Sequence, residues 1–215
     1  MIDTFVFDFD GTLVQSNEIK EQAYYDVAKQ FGFGSDVIDE ALVLASGGNR
    51  SAVFAVVAKR LPHQLETSDS HLTNVDSQVL VEAYSAICEQ EISVCPEVDG
   101  ASEILDWLVE CGMQLYVNTA TPEDRIQSIL KARGMQRYFS GAYGSPTDKS
   151  QNLVRVIAES GCSAGNIVVV GDGEDDRQAA KSLDCRFVGV GDGERFSARP
   201  DQLIDDLRDL KALVT

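Results

Sequence analysis

Histidine is almost absent: His63 and His71 are the two in 215 residues, too few for a metal centre built on imidazole. The five cysteines (Cys88, Cys95, Cys111, Cys162 and Cys185) are odd in number and never spaced as CxxC. Neither a zinc site nor a secreted disulfide framework is expected from them, and they read as reduced thiols. Positive charge is scarce, with 18 Lys and Arg against 35 Asp and Glu, a formal charge of −17. A surface that negative repels phosphate backbones and anionic lipid, which sets aside nucleic acid and membrane as partners. No apolar run approaches the roughly 18 residues that a membrane-spanning helix needs. The opening Met1-Ile2-Asp3-Thr4 lacks the basic region and apolar stretch of a secretory signal, so a cytoplasmic location is expected. What the chain does have is apolar mass. At 44% apolar residues it can bury a sizeable core, and its length suits one large domain or a domain with a modest insert.

The pattern of that apolar mass changes along the chain. Between Ile2 and Phe9, Phe5, Val6, Phe7 and Phe9 crowd into a short run that stops at Gly11, which predicts a buried strand entering a glycine turn. From about Val14 to Glu91 the apolar residues recur at helical spacing, as in Ala23, Val27 and Phe31 or Val53, Val57 and Leu61. Breaks at Gly32-Phe33-Gly34, at Gly47-Gly48 and from Glu66 to Asn74 divide this block into four or five helices. After Cys95-Pro96 strands and helices alternate. Helices are predicted over Ala101–Glu110, Pro122–Arg133, Lys149–Ser160, Asp175–Leu183 and Gln202–Leu213. Strands are predicted over Met113–Thr119, at Ala142-Tyr143, over Ile167–Val170 and over Arg186–Val190. Such alternation means βαβ units and a parallel sheet. The fold class is α/β, with 1–14 and 92–215 as a sheet domain and the all-helical 15–91 inserted into it.

In open parallel sheets chemistry sits beyond the C-terminal ends of the strands, and here each strand end carries something reactive. The first runs into Asp8-Phe9-Asp10-Gly11-Thr12, with two acids spaced to face one side of an extended chain. Another ends in Asn118-Thr119-Ala120, and a third in Gly171-Asp172-Gly173-Glu174-Asp175-Asp176; Lys149 opens a helix after Ser145-Pro146-Thr147-Asp148. Taken singly, Asp8 and Asp10 serve equally well as turn and cap residues, Thr119 as a turn or helix cap, and Lys149 as an ordinary solvated lysine. Together they make a charge problem, because two carboxylates about 4 Å apart repel by roughly 4 kcal/mol at an effective dielectric of 20. Asp8, Asp10 and Asp172 converging on one point need a cation, and all-oxygen ligation suits Mg²⁺. Lys149, the Thr119 hydroxyl and neighbouring backbone N–H groups can then hold phosphate oxygens. One carboxylate can attack phosphorus, and a second can manage the protons.

Asp8-Phe9-Asp10-Gly11-Thr12-Leu13, followed by Thr119, Lys149 and Gly171-Asp172 with Asp176, resembles the four-part signature of the haloacid dehalogenase superfamily. The order and positions match over the whole chain. The resemblance implies a Rossmann-like parallel core with a helical cap inserted after the first motif, and a Mg²⁺-dependent phosphatase acting on a small phosphorylated metabolite through an aspartyl-phosphate. It implies Asp8 as nucleophile, Asp10 as general acid and base, and Thr119, Ala120 and Lys149 as the holders of the phosphoryl group. Asp8, the Asp10 backbone carbonyl and Asp172 would bind the metal, with Asp176 as the assisting acid and Glu174 and Asp175 as further acids beside it. Arg50, in the Gly47-Gly48-Asn49-Arg50 turn, offers a planar donor that a cap loop could turn toward substrate, or is a surface charge. Gln15 departs from the family's GTLVDS segment, where an acid is usual. A monomer or homodimer is expected. Among rivals, a phosphomutase would keep all these residues. A 2-haloacid dehalogenase would not need Asp10, and a non-catalytic phosphoacceptor signalling domain would be shorter and without the helical insert.

Overall fold

The computed structural model of the chain describes residues 2–45, 49–65 and 76–214. They fall into two compact units, one formed by Met1–Asn17 with Ile92–Thr215 and the other by Glu18–Glu91.

The first unit is built on a sheet whose centre is the Phe-rich opening run. Strand β1 (Thr4–Phe7) is buried along its whole length, as a strand covered on both faces must be. On one side it pairs in parallel with β2 (Gln114–Pro122), which pairs with β3 (Gly141–Ser145); on the other side it pairs with β4 (Ile167–Gly171). Beyond β4 lie β5 (Arg186–Val190) and β6 (Leu203–Ile204), giving the order β3-β2-β1-β4-β5-β6 with every pairing parallel. The chain builds outward from β1 on one side and then returns to its other side. The gap beyond the ends of β1 and β4 is therefore the point where the winding reverses, the place such sheets hold ligands.

Helices α5 (Ala101–Glu110), α6 (Glu123–Ala132), α7 (Lys149–Ser160) and α8 (Glu174–Ser182) connect the strands. Each turns a narrow apolar stripe inward: Ile104, Leu105 and Leu108 on α5; Ile126, Ile129 and Leu130 on α6; Leu153 and Val156 on α7; Ala179 and Ala180 on α8. Leu153, Val156, Ala179 and Ala180 join Val6, Tyr116, Tyr143, Ile167 and Val169 in one buried cluster on a face of the sheet. The second unit is helical, with α1 (Asn17–Phe31) leading in, then α2 (Ser35–Leu44), α3 (Arg50–Leu65) and α4 (Ser77–Ile92). Its core includes three rings, Tyr24, Phe54 and Tyr84, with centroids 4.5–5.8 Å apart and Val27, Ile38, Val57 and Leu80 fully enclosed. (Helices α1 to α4 lie in the chain before α5 to α8.) Gly47-Gly48, the stretch from Glu66 to Asn74 and His71 lie outside the described residues.

One expectation fails. Gln202–Leu213 is no continuous α-helix: Leu203–Ile204 is strand β6, and a 3-10 helix follows over Leu207–Leu213. Leu203, Leu207 and Leu210 have helical spacing, but β5 leaves an open edge beside them. The Gly189 and Gly191 N–H groups donate to the carbonyls of Gln202 and Ile204, each at 2.9 Å. Pairing satisfies backbone groups that a helix would have left bare on β5. Asp206 then restarts the chain as a cap, its carboxylate accepting from the Arg208 N–H.

Candidate active site

Asp8 lies just beyond β1, its N–H donating to the Val170 carbonyl of β4 at 2.8 Å, so the sheet ladder fixes its backbone. Asp172 lies at the same level beyond β4, and Asp176 follows in the first turn of α8. One carboxylate oxygen from each of Asp8, Asp172 and Asp176 lies within 4.8 Å of the others, and all three residues are buried. Gly11 makes this closeness possible. Its φ of +79° is left-handed, and a Cβ there would stand 2.2 Å from Asp172 Oδ2 and 2.3 Å from Asn17 Nδ2, so both side chains would have to move on a backbone that already favours glycine.

Lys149 is the first residue of α7, set by the Asp148 cap, whose side chain accepts from the Gln151 N–H. Asn118 Nδ2 donates to the Lys149 carbonyl at 2.9 Å, tying the helix start to the middle of β2. The ammonium reaches Asp176 Oδ1 at 2.8 Å, Asp175 Oδ2 at 3.0 Å and Asp8 Oδ2 at 3.3 Å. Burial alone would pull its pKa down, but Asp8, Asp176 and Asp175 outweigh that and hold it well above the ordinary lysine value. It is a fixed positive charge. Asp176 moves the other way from most paired acids. Burial raises its pKa well above the usual carboxylate range, aided by Asp8 and Asp175, although Lys149 opposes the shift.

Asp10 keeps different company. Its carboxylate accepts from Ser16 Oγ at 2.8 Å, Thr121 Oγ1 at 2.8 Å and Thr119 Oγ1 at 3.3 Å, and it stands apart from the three-carboxylate cluster. Thr119 is buried, and its hydroxyl also accepts from the Thr121 N–H at 3.2 Å. Ala120, between the two threonines, is exposed. Of the extra acids, Asp175 joins Lys149, whereas Glu174 turns to Arg177 and to the Ser197 N–H. Arg50 lies in the helical unit, where its guanidinium bonds Ser85 Oγ at 3.3 Å and stands over the Tyr84 ring at 5.4 Å.

Four side chains of the site carry no expectation from the sequence: Ser16, Asn17, Thr121 and Arg195. Thr121 had a signal, since Thr119 and Thr121 are two apart on a strand and so share a face. Asn17 Nδ2 and Arg195 Nη1 both meet Asp172 Oδ2, at 2.8 and 3.0 Å. Arg195 had none, because it comes from a loop beyond β5.

The cluster fits a hard divalent cation. Asp176 Oδ2 is buried without a hydrogen-bond partner, an arrangement that is costly unless something else meets that oxygen. The donor set is carboxylate oxygen throughout, the chemistry that Mg²⁺ prefers over softer metals.

The chain matches the family model for haloacid dehalogenase-like hydrolases over residues 5–190. It is 29% identical over 219 residues to the phosphoglycolate phosphatase of Mannheimia succiniciproducens, covering 97% of this chain and 96% of that one. Among solved structures it superposes on a predicted phosphoglycolate phosphatase from Haemophilus somnus with a TM-score of 0.78. The identity there is 21%, and the match covers 100% of this chain and 98% of that one. The HAD-hydrolase YfnB from Bacillus subtilis, bound to magnesium, matches at a TM-score of 0.74 and 16% identity, covering 99% and 98%. At such identities these structures speak for the fold. With the family match spanning most of its length and phosphatases as its curated relatives, the chain belongs to the haloacid dehalogenase-like hydrolases, on their phosphatase branch.

Proposed function

We propose that this phosphatase is Mg²⁺-dependent and hydrolyses a small phosphorylated metabolite through an aspartyl-phosphate on Asp8, with the helical unit as its substrate-selecting cap. The observation that carries the reading is the convergence of Asp8, Asp172 and Asp176 within 4.8 Å, with Lys149 fixed against Asp8 and Asp176. Asp8, Asp172 and the Asp10 backbone carbonyl would hold the metal, and Asp176 would assist them. When bound, Mg²⁺ supplies charge neutralisation, which lets an anionic ester approach a site otherwise built of acids.

A carboxylate oxygen of Asp8 attacks phosphorus as the bond to the leaving oxygen breaks. Lys149 is poised to balance charge on the phosphoryl oxygens, and in this reading Thr119 and Ala120 hold the same oxygens. Asp10, in its protonated form, donates to the leaving oxygen. It then takes a proton from the water that attacks phosphorus, and the bond to Asp8 breaks to release phosphate. Ser16, Thr119 and Thr121 hold the Asp10 carboxylate by hydroxyls, which fixes its direction without adding charge beside it.

The curated relatives are phosphoglycolate phosphatases, so phosphoglycolate is the first substrate to try. The test is phosphate release across a panel of phosphorylated metabolites, with Mg²⁺ or EDTA. Release should require Mg²⁺, and Asp8→Asn should lower kcat at least about a thousandfold while staying folded. Full activity in a folded Asp8→Asn protein overturns the mechanism. Conversion of a hexose 1-phosphate to the 6-phosphate without net phosphate release would mark a phosphomutase instead.

A further inference from the structure

Among the described residues, Lys149 and Arg195 both meet the cluster beyond β1 and β4, and they divide the acids between them. Lys149 pairs with Asp8, Asp175 and Asp176. Asp172 is met by Asn17 and by Arg195, both at its Oδ2. Asp172 is largely buried, with its side chain 8% exposed, whereas Arg195 is 55% exposed and reaches in from the loop between β5 and β6.

That loop is pinned on both sides of the contact. Immediately after Arg195, Phe196 is buried and packs edge-on against Phe187 of β5, with centroids 5.7 Å apart. The next residue, Ser197, donates its N–H to Glu174 Oε2 at 3.2 Å and accepts from Arg177 Nη2 at 3.2 Å, both on α8. Before it, the Glu194 N–H donates to the Asp192 carboxylate in a local turn. The backbone carrying Arg195 is thus tied to the helix that carries Asp176, and the guanidinium is delivered to Asp172 by a held segment.

We propose that Arg195 is the counter-ion of Asp172, a positioning residue that sets how tightly the site binds Mg²⁺. The inference rests on the metal reading above. A guanidinium on Asp172 relieves repulsion among the three carboxylates while no metal is bound. The same positive charge opposes an incoming dication. Asn17 decides the sign of the effect of removing it. With Asn17 Nδ2 still on Oδ2, the carboxylate keeps its direction when the guanidinium goes, so what is lost is charge rather than orientation. Taking the charge away must destabilise the metal-free protein and strengthen metal binding.

Calorimetric titration of the full chain with MgCl₂ tests this, comparing the wild type with Arg195→Gln and Arg195→Lys. Arg195→Gln should bind Mg²⁺ about three- to tenfold more tightly, the range for a charge on a half-exposed side chain. Arg195→Lys, which keeps the charge, should stay within about twofold of wild type. In EDTA, Arg195→Gln should unfold at a lower temperature than wild type, and its gain on adding Mg²⁺ should be the larger. An unchanged or weaker Mg²⁺ affinity in Arg195→Gln overturns the proposal while leaving the metal site standing. A wild type that binds no Mg²⁺ overturns both. The exposure of Arg195 makes the variants fold-compatible, and their circular dichroism checks it.

Discussion

Single residues set the close approaches on which this site depends, and Gly11 is the sharpest case. A Cβ there would enter the space of both Asp172 Oδ2 and Asn17 Nδ2, on a backbone with positive φ. Gly11→Ala is therefore expected to cost about 1–3 kcal/mol of stability and to weaken Mg²⁺ binding by displacing Asp172. Urea unfolding and metal titration would show both, and a variant as stable as wild type would contradict the geometry. The cysteines give a second test at this scale. Burial, with Asp184 adding to it, raises the Cys185 thiol to about 11, whereas Cys111 is exposed. Alkylation needs the thiolate, so a raised pKa slows it below that value. Iodoacetamide at about pH 8 should mark Cys111 well before Cys185, and the Cys185 rate should climb about tenfold per pH unit up to pH 10. Peptide mass spectrometry would resolve the two. The sequence pointed to Asp8, Lys149 and Asp172 because each stands at a strand end or helix start that its neighbours announce. It gave no pointer to Arg195, whose partner Asp172 is remote along the chain and near only once the loop after β5 is folded.

Elements position these residues with uneven legibility. Helices α5 and α7 and strand β5 have the bounds that the sequence predicts, and the two helices carry local markers: Gly112 after α5, Asp148 before α7 and Gly161 after it. The Asp148 cap also places Lys149. Asp148→Ala should lower stability by about 1 kcal/mol, while Asp148→Asn should keep most of it; chemical denaturation of the two variants checks this. An Asp148→Ala protein with undiminished stability would mean that the α7 start is held by Asn118 and Asn152 instead, which bond the Lys149 and Gly144 carbonyls. The segment 202–213 shows the limit of such local reading. Its spacing is helical, yet two backbone hydrogen bonds to the edge of β5 decide its form. Strand β2 likewise runs on to Pro122, past the expected end at Thr119, because β3 offers Ser145 as a partner for Pro122. Edge pairing is a property of two segments, and one segment's pattern does not contain it.

Across the whole molecule the dominant quantity is charge. A chain at −17 repels itself, and added salt shortens the range of that repulsion to roughly 4 Å at about 0.5 M. Raising NaCl from about 20 mM to about 0.5 M should therefore raise the Tm of the metal-free protein, at about 2–4 °C per kcal/mol of relieved repulsion. A Tm that falls with salt would mean that specific ion pairs outweigh the net charge. Among the described residues no helix is long and apolar enough to cross a membrane.

By itself the sequence determined the α/β class, the alternation that makes the sheet parallel, the helical block between the first strand and its partners, and the placing of acids and hydroxyls at the strand ends. Periodicity, turn chemistry and caps are local properties, written within a few residues of where they act. Only the tertiary structure decided that Asp8, Asp172 and Asp176 share one small space while Asp10 turns to three hydroxyls. It alone brought Asn17 and Arg195 to Asp172. Those outcomes depend on distances between residues far apart in the chain, which are set by sheet register and loop packing.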